Sequence, residues 1–503
     1  MQWRGGSLPD AEPYDLLIVG GGINGAGIAR DAAGRSLRVI LCEKDDLAAH
    51  TSSASTKLIH GGLRYLEQYA FRLVAESLRE RAVLLAAAPH IIWPLRFVLP
   101  HERGMRPRWL LRAGLLLYDG LGGRGRSLPR SRAVRLDRPP HRAMLQDRLT
   151  RGFEYWDCWV EDARAVVLAA MDARERGAEV LTRTRCAALE RGRDRWRATL
   201  RSEGGERVIE ARAVVNAAGP WVDHVAGLAL GNAARPRARL VKGSHIVVPR
   251  GFVGEQAYIL QQPDGRIVFA IPYERDYTLI GTTDVAFAGD PDAVAISEEE
   301  TDYLIAAYTR SFMSGIARDE IVHSFAGVRP LYDDGAARAS AVTRDYVLSL
   351  DAKGGAPLLS VYGGKITTFR RLAEAALKRL GPHLEMSGPW TATAPLPGGD
   401  TGDFARFLWD ASMRWPWLPP EMLLRLARAY GTRMVRVIGT AAGISDLGRD
   451  FGGTLTEAEL RYLVDEELAR SAEDVLWRRS KLGLHVGAET VRAVENWFAA
   501  RLP

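Results

Sequence analysis

The chain has 503 residues, 47% hydrophobic and 26% charged, with 68 Lys and Arg against 61 Asp and Glu and a formal charge of +7. That profile excludes a disordered chain and predicts two or three domains with large cores. No run of about 18 uncharged apolar residues occurs, so no bilayer-spanning helix is expected, and no Lys/Arg run stands in a nucleic-acid-binding motif, so no nucleic-acid partner is expected.

The first residues, MQWRGGSLPDAEPYD, carry no apolar segment of the secretory type. Cys42, Cys158 and Cys186 lie far apart with no CxxC, which points to a reducing compartment and predicts no metal site. Residues 14–44 are the first segment with a mechanism. Asp15 to Val19 reads as a buried parallel strand, Asn24 to Ala33 as a helix and Leu37 to Leu41 as a second strand. Gly20, Gly22 and Gly25 form GxGxxG at the first turn, where backbone can approach a pyrophosphate on the helix N-terminus. Glu43, 23 residues past Gly20, closes the second strand where a carboxylate accepts from ribose hydroxyls. These features in register predict a dinucleotide site.

The next segment, TSSASTKLIHGGLRYLE (51–67), decides between NAD and FAD. A nicotinamide enzyme would begin another strand–helix unit here. Thr51, Ser52, Ser53 and Lys57 instead form a polar stretch placed to meet pyrophosphate and flavin edges, although a solvated Ser/Thr loop has the same composition. Residues 106–126 then read as an amphipathic helix. Arg108, Arg112 and Asp119 share one face opposite Leu110, Leu117 and Leu121, with Leu115 interrupting the polar side. Trp109, Tyr118 and the flanking arginines suit an interfacial helix on anionic lipid, and a core-packing helix would also fit.

The strand 211–217 breaks at Ala218-Gly219-Pro220 before a helical pattern, so the backbone at Gly219 can pass close to the adenosine half of a cofactor. GSHIVVP, AYILQQ, RIVFAIPY and YTLIGTTD read as strands of an antiparallel sheet. In LLSVYGGKITTFRRLAE (358–374) a strand ends at Gly363 and Gly364. A helix starting near Lys365 to Thr368 would aim its positive end at a reduced flavin. From about 386, SGPWTATAPLPGGDTGD reads as a linker, and EMLLRLARAYG and EAELRYLVDEELAR as helices beyond it.

Together GGGINGAGIARDAAGR, TSSASTKLIHGGLRYLE, RGFEYWDCWVEDAR, KGSHIVVP, IGTTD, GVRPL, TRDY, YGGKITTFR and AEDVLWRRSKLGL resemble the FAD-dependent glycerol-3-phosphate dehydrogenases of the aerobic, membrane-associated kind. Tyr332, after GVRPL, departs from the family pattern. The resemblance implies an α/β fold with a glutathione-reductase-like FAD-binding domain, an inserted mixed-sheet substrate domain and a helical C-terminal domain. Its boundaries are expected at 14–90, 150–235 and 340–385 for the FAD-binding domain and 91–149 for a membrane-facing insertion. The substrate domain takes 236–339 and the C-terminal domain 386–503. It further implies oxidation of sn-glycerol 3-phosphate to dihydroxyacetone phosphate by hydride transfer to FAD, with electrons passed to a membrane quinone. The alternative is an oxygen-using glycerol-3-phosphate oxidase or another flavin-dependent alcohol or amine oxidase.

The expected location is cytoplasmic, on the inner face of the cell membrane, and a homodimer is left open. By match to the family pattern, Arg329 and Arg344 clamp the phosphate with Arg64 or Tyr65, since guanidinium recognises phosphate bidentately. A surface ion pair of either arginine with Asp345 or Asp333 is the bland alternative. His245 is the candidate base, and Lys365 could hold a developing alkoxide or the flavin.

Overall fold

The computed structural model describes residues 12–102, 104–122, 128–231, 235, 237–333 and 345–501. Apolar runs at the start of the chain build the first sheet. Strands β1 (Tyr14–Val19), β2 (Val39–Cys42), β7 (Glu179–Leu181), β10 (Gly205–Asn216), β17 (Val347–Asp351) and β18 (Leu358–Tyr362) stand in the order β17-β18-β10-β1-β2-β7. All neighbours are parallel except β17 on β18. The hairpin β8 (Arg185–Arg191) and β9 (Trp196–Ser202) extends the far half of β10.

Leu16, Ile18, Val39 and Leu41 point to one face and are fully buried under helices α1 (Ile23–Gly34), α4 (Asp162–Glu175) and α7 (Phe369–Leu380). Such burial on both sides is why these strands read as unbroken apolar runs. α7 starts at Phe369, after a 3₁₀ turn over Ile366–Thr368. The helical winding thus begins within the stretch Lys365 to Thr368 expected from the sequence, and the Thr367 hydroxyl accepts from the His60 amide at 3.1 Å, which ties the turn down.

The second sheet contains β3 (Leu58–Ile59), β4 (Ile92–His101), β5 (Arg132–Arg135), β6 (Arg151–Val160), β11 (Ala238–Pro249), β12 (Ala257–Gln261), β13 (Ile267–Tyr273), β14 (Tyr277–Gly281), β15 (Val285–Ala286) and β16 (His323–Tyr332). β12, β13, β14 and β11 are antiparallel in turn, as their alternation predicts. Here the structure differs from the boundaries expected above. Residues 151–160, read with the FAD-binding segments, and 92–101, read as part of an insertion, pair with each other over ten residues. They join the second sheet through the parallel contact of Ala257 and Tyr258 with Phe97 and Val98. Phe97 and Tyr155 stack across that pairing at 5.3 Å, a cross-strand contact of the kind that fixes register.

Helix α2 (Phe71–Ala87) and helix α3 (Arg108–Leu121) pack beside this sheet, α5 (Val222–Leu230) follows β10, and α6 (Glu298–Thr309) lies under β11 and β13. The Pro- and Gly-rich stretch after 386 is packed down rather than loose: Trp390 lies between Arg30 and Arg176, at 4.8 and 3.8 Å. Helices α8 (Phe404–Arg414), α9 (Pro420–Tyr430), α10 (Met434–Ile438), α11 (Glu457–Asp465) and α12 (Ala488–Ala499) complete the chain.

The helix α3 turns its polar side inward, opposite to what the core-packing alternative expects. Arg112 donates to the Ser131 carbonyl at 3.0 Å, and Asp119 accepts from the Ser131 amide at 3.0 Å. Leu115 on that same side is buried with Tyr118, so the residue that interrupts the polar face is what anchors the helix to the core. Trp109, Leu110, Leu116 and Leu117 are left exposed. Among the described residues no helix is long and apolar enough to cross a membrane.

Candidate active site

The β1–α1 turn shows why its residues are glycine. A Cβ on Gly20, whose φ is +112°, would lie 2.5 Å from the Ala217 carbonyl oxygen, and one on Gly25 would lie 1.9 Å from the Gly20 oxygen. Gly22 is the N-cap of α1 in extended conformation and offers no side-chain cap. The N-terminal end of α1 therefore opens, at Gly22, on a groove that an anion can enter. Glu43 is buried beside it, its carboxylate accepting from the amides of Gly21 at 2.6 Å and Asp45 at 2.9 Å. Burial raises its carboxyl above the ordinary value, against those two amides, which lower it.

Gly20, Glu43, Ser52, Ala218, Gly219 and Trp221 line a cavity of about 220 Å³ at this point. Gly219 adopts φ +56°, which carries the chain past the cavity without a side chain. Glycine cradle, helix N-terminus and ribose-type acid thus meet at one cavity, which fits the adenosine diphosphate half of FAD.

The hydroxyls of 51–57 do something other than the sequence suggests. Thr51 donates to the Val328 carbonyl at 2.7 Å, Ser53 to the His50 carbonyl at 3.1 Å and Ser55 to Asp162 at 2.7 Å. Thr56 Oγ1 lies 3.0 Å from His245 Nε2. Ser52 Oγ accepts from the Ile23 amide at 3.0 Å and lines the groove. Lys57, expected among the cofactor ligands, is 1% exposed. Its ammonium donates to the Ser53 carbonyl and to both oxygens of the fully buried Asp162 at 2.8 and 2.9 Å. A lysine in this setting is held by its buried counter-charge, so it fastens the loop to the first turn of α4. The segment is mostly a strap joining α1, α4, β11 and β16, with Ser52 as its contact to the groove.

That strap leads to a second cluster. His245 on β11 pairs in register with Phe325 on β16, and Val241 with Arg329. Residues two apart share a strand face, so His245, Phe325 and Arg329 project on one side with only Gly243 and Gly327 between them. His245 is 2% exposed and stacks on Phe325, ring centres 4.9 Å apart. Among the described residues its Nδ1 has no hydrogen-bond partner. Burial first, and then the Lys57 and Arg329 cations, push the imidazole down to about 3, so it is neutral. Arg329 pairs with Asp284 of the IGTTD segment, not with Asp345 or Asp333.

Gly363, at φ +70°, and Gly364, at φ +98°, make a left-handed turn. The Gly363 amide donates to the Pro330 carbonyl at 2.7 Å, and its carbonyl accepts from Asn24 Nδ2 at 3.0 Å. Lys365 follows, its ammonium 3.7 Å from the centre of the Tyr65 ring. The GGGINGAG, GVRPL and YGGK motifs are thereby stitched into one site. The side chain of Arg64 and the whole of Arg344 lie outside the described residues. Tyr332 packs edge-on to Tyr362, ring centres 5.5 Å apart.

Three participants escape a reading of the sequence. Asn24 sits within the glycine fingerprint, and its buried Oδ1 has no partner among the described residues, as expected of a group facing a ligand. Thr56 and Asp284 stand inside quoted motifs with no role attached. Their only sequence signal is proximity to those motifs, since their partners lie 189 and 45 residues away.

Residues 15–370 match the family described as "FAD dependent oxidoreductase", and 389–501 the "C-terminal domain of alpha-glycerophosphate oxidase". A "Glycerol-3-phosphate dehydrogenase" of Pseudomonas aeruginosa is 56% identical over 482 residues, 95% of this chain and 93% of that one. A "D-erythritol 1-phosphate dehydrogenase" of Brucella abortus is 52% identical over 497 residues, 98% and 99% of the two chains. The solved glycerol-3-phosphate dehydrogenase of Bacillus halodurans, complexed with FAD, is 28% identical with a TM-score of 0.77, covering 97% of this chain and 91% of that one.

Proposed function

We propose that this chain, which belongs to the family of FAD-dependent oxidoreductases, oxidises sn-glycerol 3-phosphate to dihydroxyacetone phosphate and delivers the electrons to a membrane quinone. The observation that carries the reading is the pairing of β11 with β16. It sets a neutral His245 with an open Nδ1 on the same sheet face as Arg329, four residues along the ladder with one pair of glycines between them on that face. Bound FAD supplies the two-electron acceptor for the hydrogen on the substrate carbon. With Nε2–H donated to Thr56, His245 Nδ1 takes the proton from the adjacent hydroxyl. Arg329, oriented by Asp284, binds the phosphate, joined by Arg344, Arg64 or Tyr65 of the family pattern. Lys365, steadied over Tyr65, holds the developing negative charge on oxygen.

The Brucella relative supports a second reading, in which the polyol phosphate is D-erythritol 1-phosphate. Anaerobic titration of the yellow holoenzyme with each compound separates them. Glycerol phosphate is expected to bleach the flavin absorbance at the higher kcat/KM. Preferential bleaching by erythritol phosphate would move the assignment, and no bleaching by either would end it. Peroxide formed with turnover and no quinone would favour the oxidase alternative instead.

The exposed face of α3 supports the membrane as the place where electrons leave. Trp109, Leu110, Leu116 and Leu117 lie on one helix, 72% of Trp109 being exposed, and an apolar face of this kind enters the headgroup boundary. Leu116→Glu with Leu117→Glu should abolish flotation with phosphatidylglycerol-containing vesicles, since each buried leucine contributes roughly 1.5–3 kcal/mol. Equal flotation of variant and parent would remove α3 from the membrane contact.

A further inference from the structure

The motif AEDVLWRRSKLGL has no part in the chemistry above. In the structure Asp474–Arg479 form a single π-helical turn, a wide winding that recurs at functional sites. It directs Trp477 at the strand that backs His245. The indole lies nearly parallel to His323, ring centres 4.2 Å apart and planes 19° apart. His323 precedes Phe325 by two residues on the same face of β16, with ring centres 6.1 Å apart. Phe325 in turn stacks on His245, with 19° between the planes. Four rings from three distant parts of the chain therefore form one continuous row ending at the imidazole.

The far end of the row is fixed. A Cβ on Gly483 would lie 2.5 Å from the indole, so only glycine leaves room for it. The Ser480 amide donates to the Val475 carbonyl at 2.9 Å, and Lys481 donates to the Trp477 carbonyl. Arg478 and Arg479, the last two residues of the turn, reach the buried carboxylate of Asp46. At the near end the imidazole touches Thr56 through Nε2 and lies between Phe325 on one side and Gly281 on the other, where a Cβ would come within 2.1 Å of the ring, so the stack on Phe325 is one of the two surfaces that set its plane.

We infer that Trp477 is a positioning residue for His245, setting the plane of its imidazole through His323 and Phe325 so that Nδ1 faces the substrate hydroxyl. This rests on the reading of His245 as the base. Without the indole, His323 and then Phe325 gain other rotamers, and proton transfer is sensitive to errors of this size.

The experiment uses the FAD-loaded full chain. Trp477→Ala is expected to slow anaerobic flavin reduction by sn-glycerol 3-phosphate about tenfold, with FAD content and the substrate concentration at half-saturation unchanged. Trp477→Phe should recover the rate to within about threefold of the parent, because a ring is restored to the row. In holoenzyme labelled at histidine Cε1, the His245 signal, identified by its loss in His245→Asn, should move in Trp477→Ala and return in Trp477→Phe. A parental rate in Trp477→Ala beside a slow His245→Ala overturns the positioning role. A parental rate in His245→Ala overturns the base reading instead. In that event an unmoved His245 signal in Trp477→Ala still rejects the coupling, and a moved one sustains it. Should Trp477→Ala not fold, His323→Ala breaks the same row from the strand side and is judged by the same outcomes.

Discussion

His245→Ala is expected to lower kcat by about two to four orders of magnitude, the range for loss of a general base, with little change in KM. The variant keeps Arg329 and its partner Asp284, so phosphate binding survives while proton removal does not. Arg329→Ala should behave the opposite way, raising KM by the loss of a charge-assisted fork worth about 1.5–3 kcal/mol. The pH dependence follows from the sign of the shift. An imidazole lowered to about 3 from 6.5 is neutral, and able to accept a proton, at every pH above the lowered value. A bound phosphate dianion offsets the Lys57 and Arg329 cations and lifts that value part of the way back. The acid limb of flavin reduction at saturating substrate should therefore fall below pH 6.5. A limb at or above 6.5 that disappears in His245→Ala would contradict the environment described, and unchanged turnover in the variant would remove the base.

The parts of this site legible in the sequence are those where one local segment meets one requirement. The glycines at 20, 22 and 25 announce a strand–turn–helix because any side chain at Gly25 would collide with the carbonyl of Gly20. The apolar runs of β1 and β2 announce strands buried on both faces. The strap at 51–57 misleads because composition shows hydroxyls and not their partners: Lys57 looks like a phosphate ligand until Asp162, 105 residues on, is found beneath it. The strand 151–160 misleads similarly, since its ladder to 92–101 crosses the helix α3 and the residues around it. In α3 the periodicity is right, and the apolar face turns outward as the interfacial reading expects and the core-packing one does not. Leu115 looks like a flaw in a polar face, and it is the residue that fixes which face turns inward. Pairing between distant segments is the information the sequence withholds in each case.

Asp46 shows how far such pairing reaches, and its removal should produce the largest loss of stability. It follows the ribose-type acid Glu43 by three residues and is 2% exposed, and Arg479, 433 residues later, is fully buried against it. Arg479 Nη2 donates at 2.8 Å and Arg478 Nε at 2.7 Å. Arg479 donates a second time, to the Glu467 carbonyl at 2.7 Å. The C-terminal helices are thus bolted to the loop that forms one wall of the cofactor groove. Asp46→Ala leaves the Arg479 guanidinium buried without its counter-charge, at a cost of about 3–5 kcal/mol. The urea midpoint of the holoenzyme should drop accordingly, with faster release of FAD as the 43–50 loop loosens. The pair itself is another matter, because desolvation offsets most of the attraction between buried ions. Asp46→Leu combined with Arg479→Met should therefore recover most of the loss, Arg478 keeping its contact with Asp474 at 2.5 Å. If the single and double variants melt together, the guanidinium finds another partner or water, and the bolt is weaker than its burial implies.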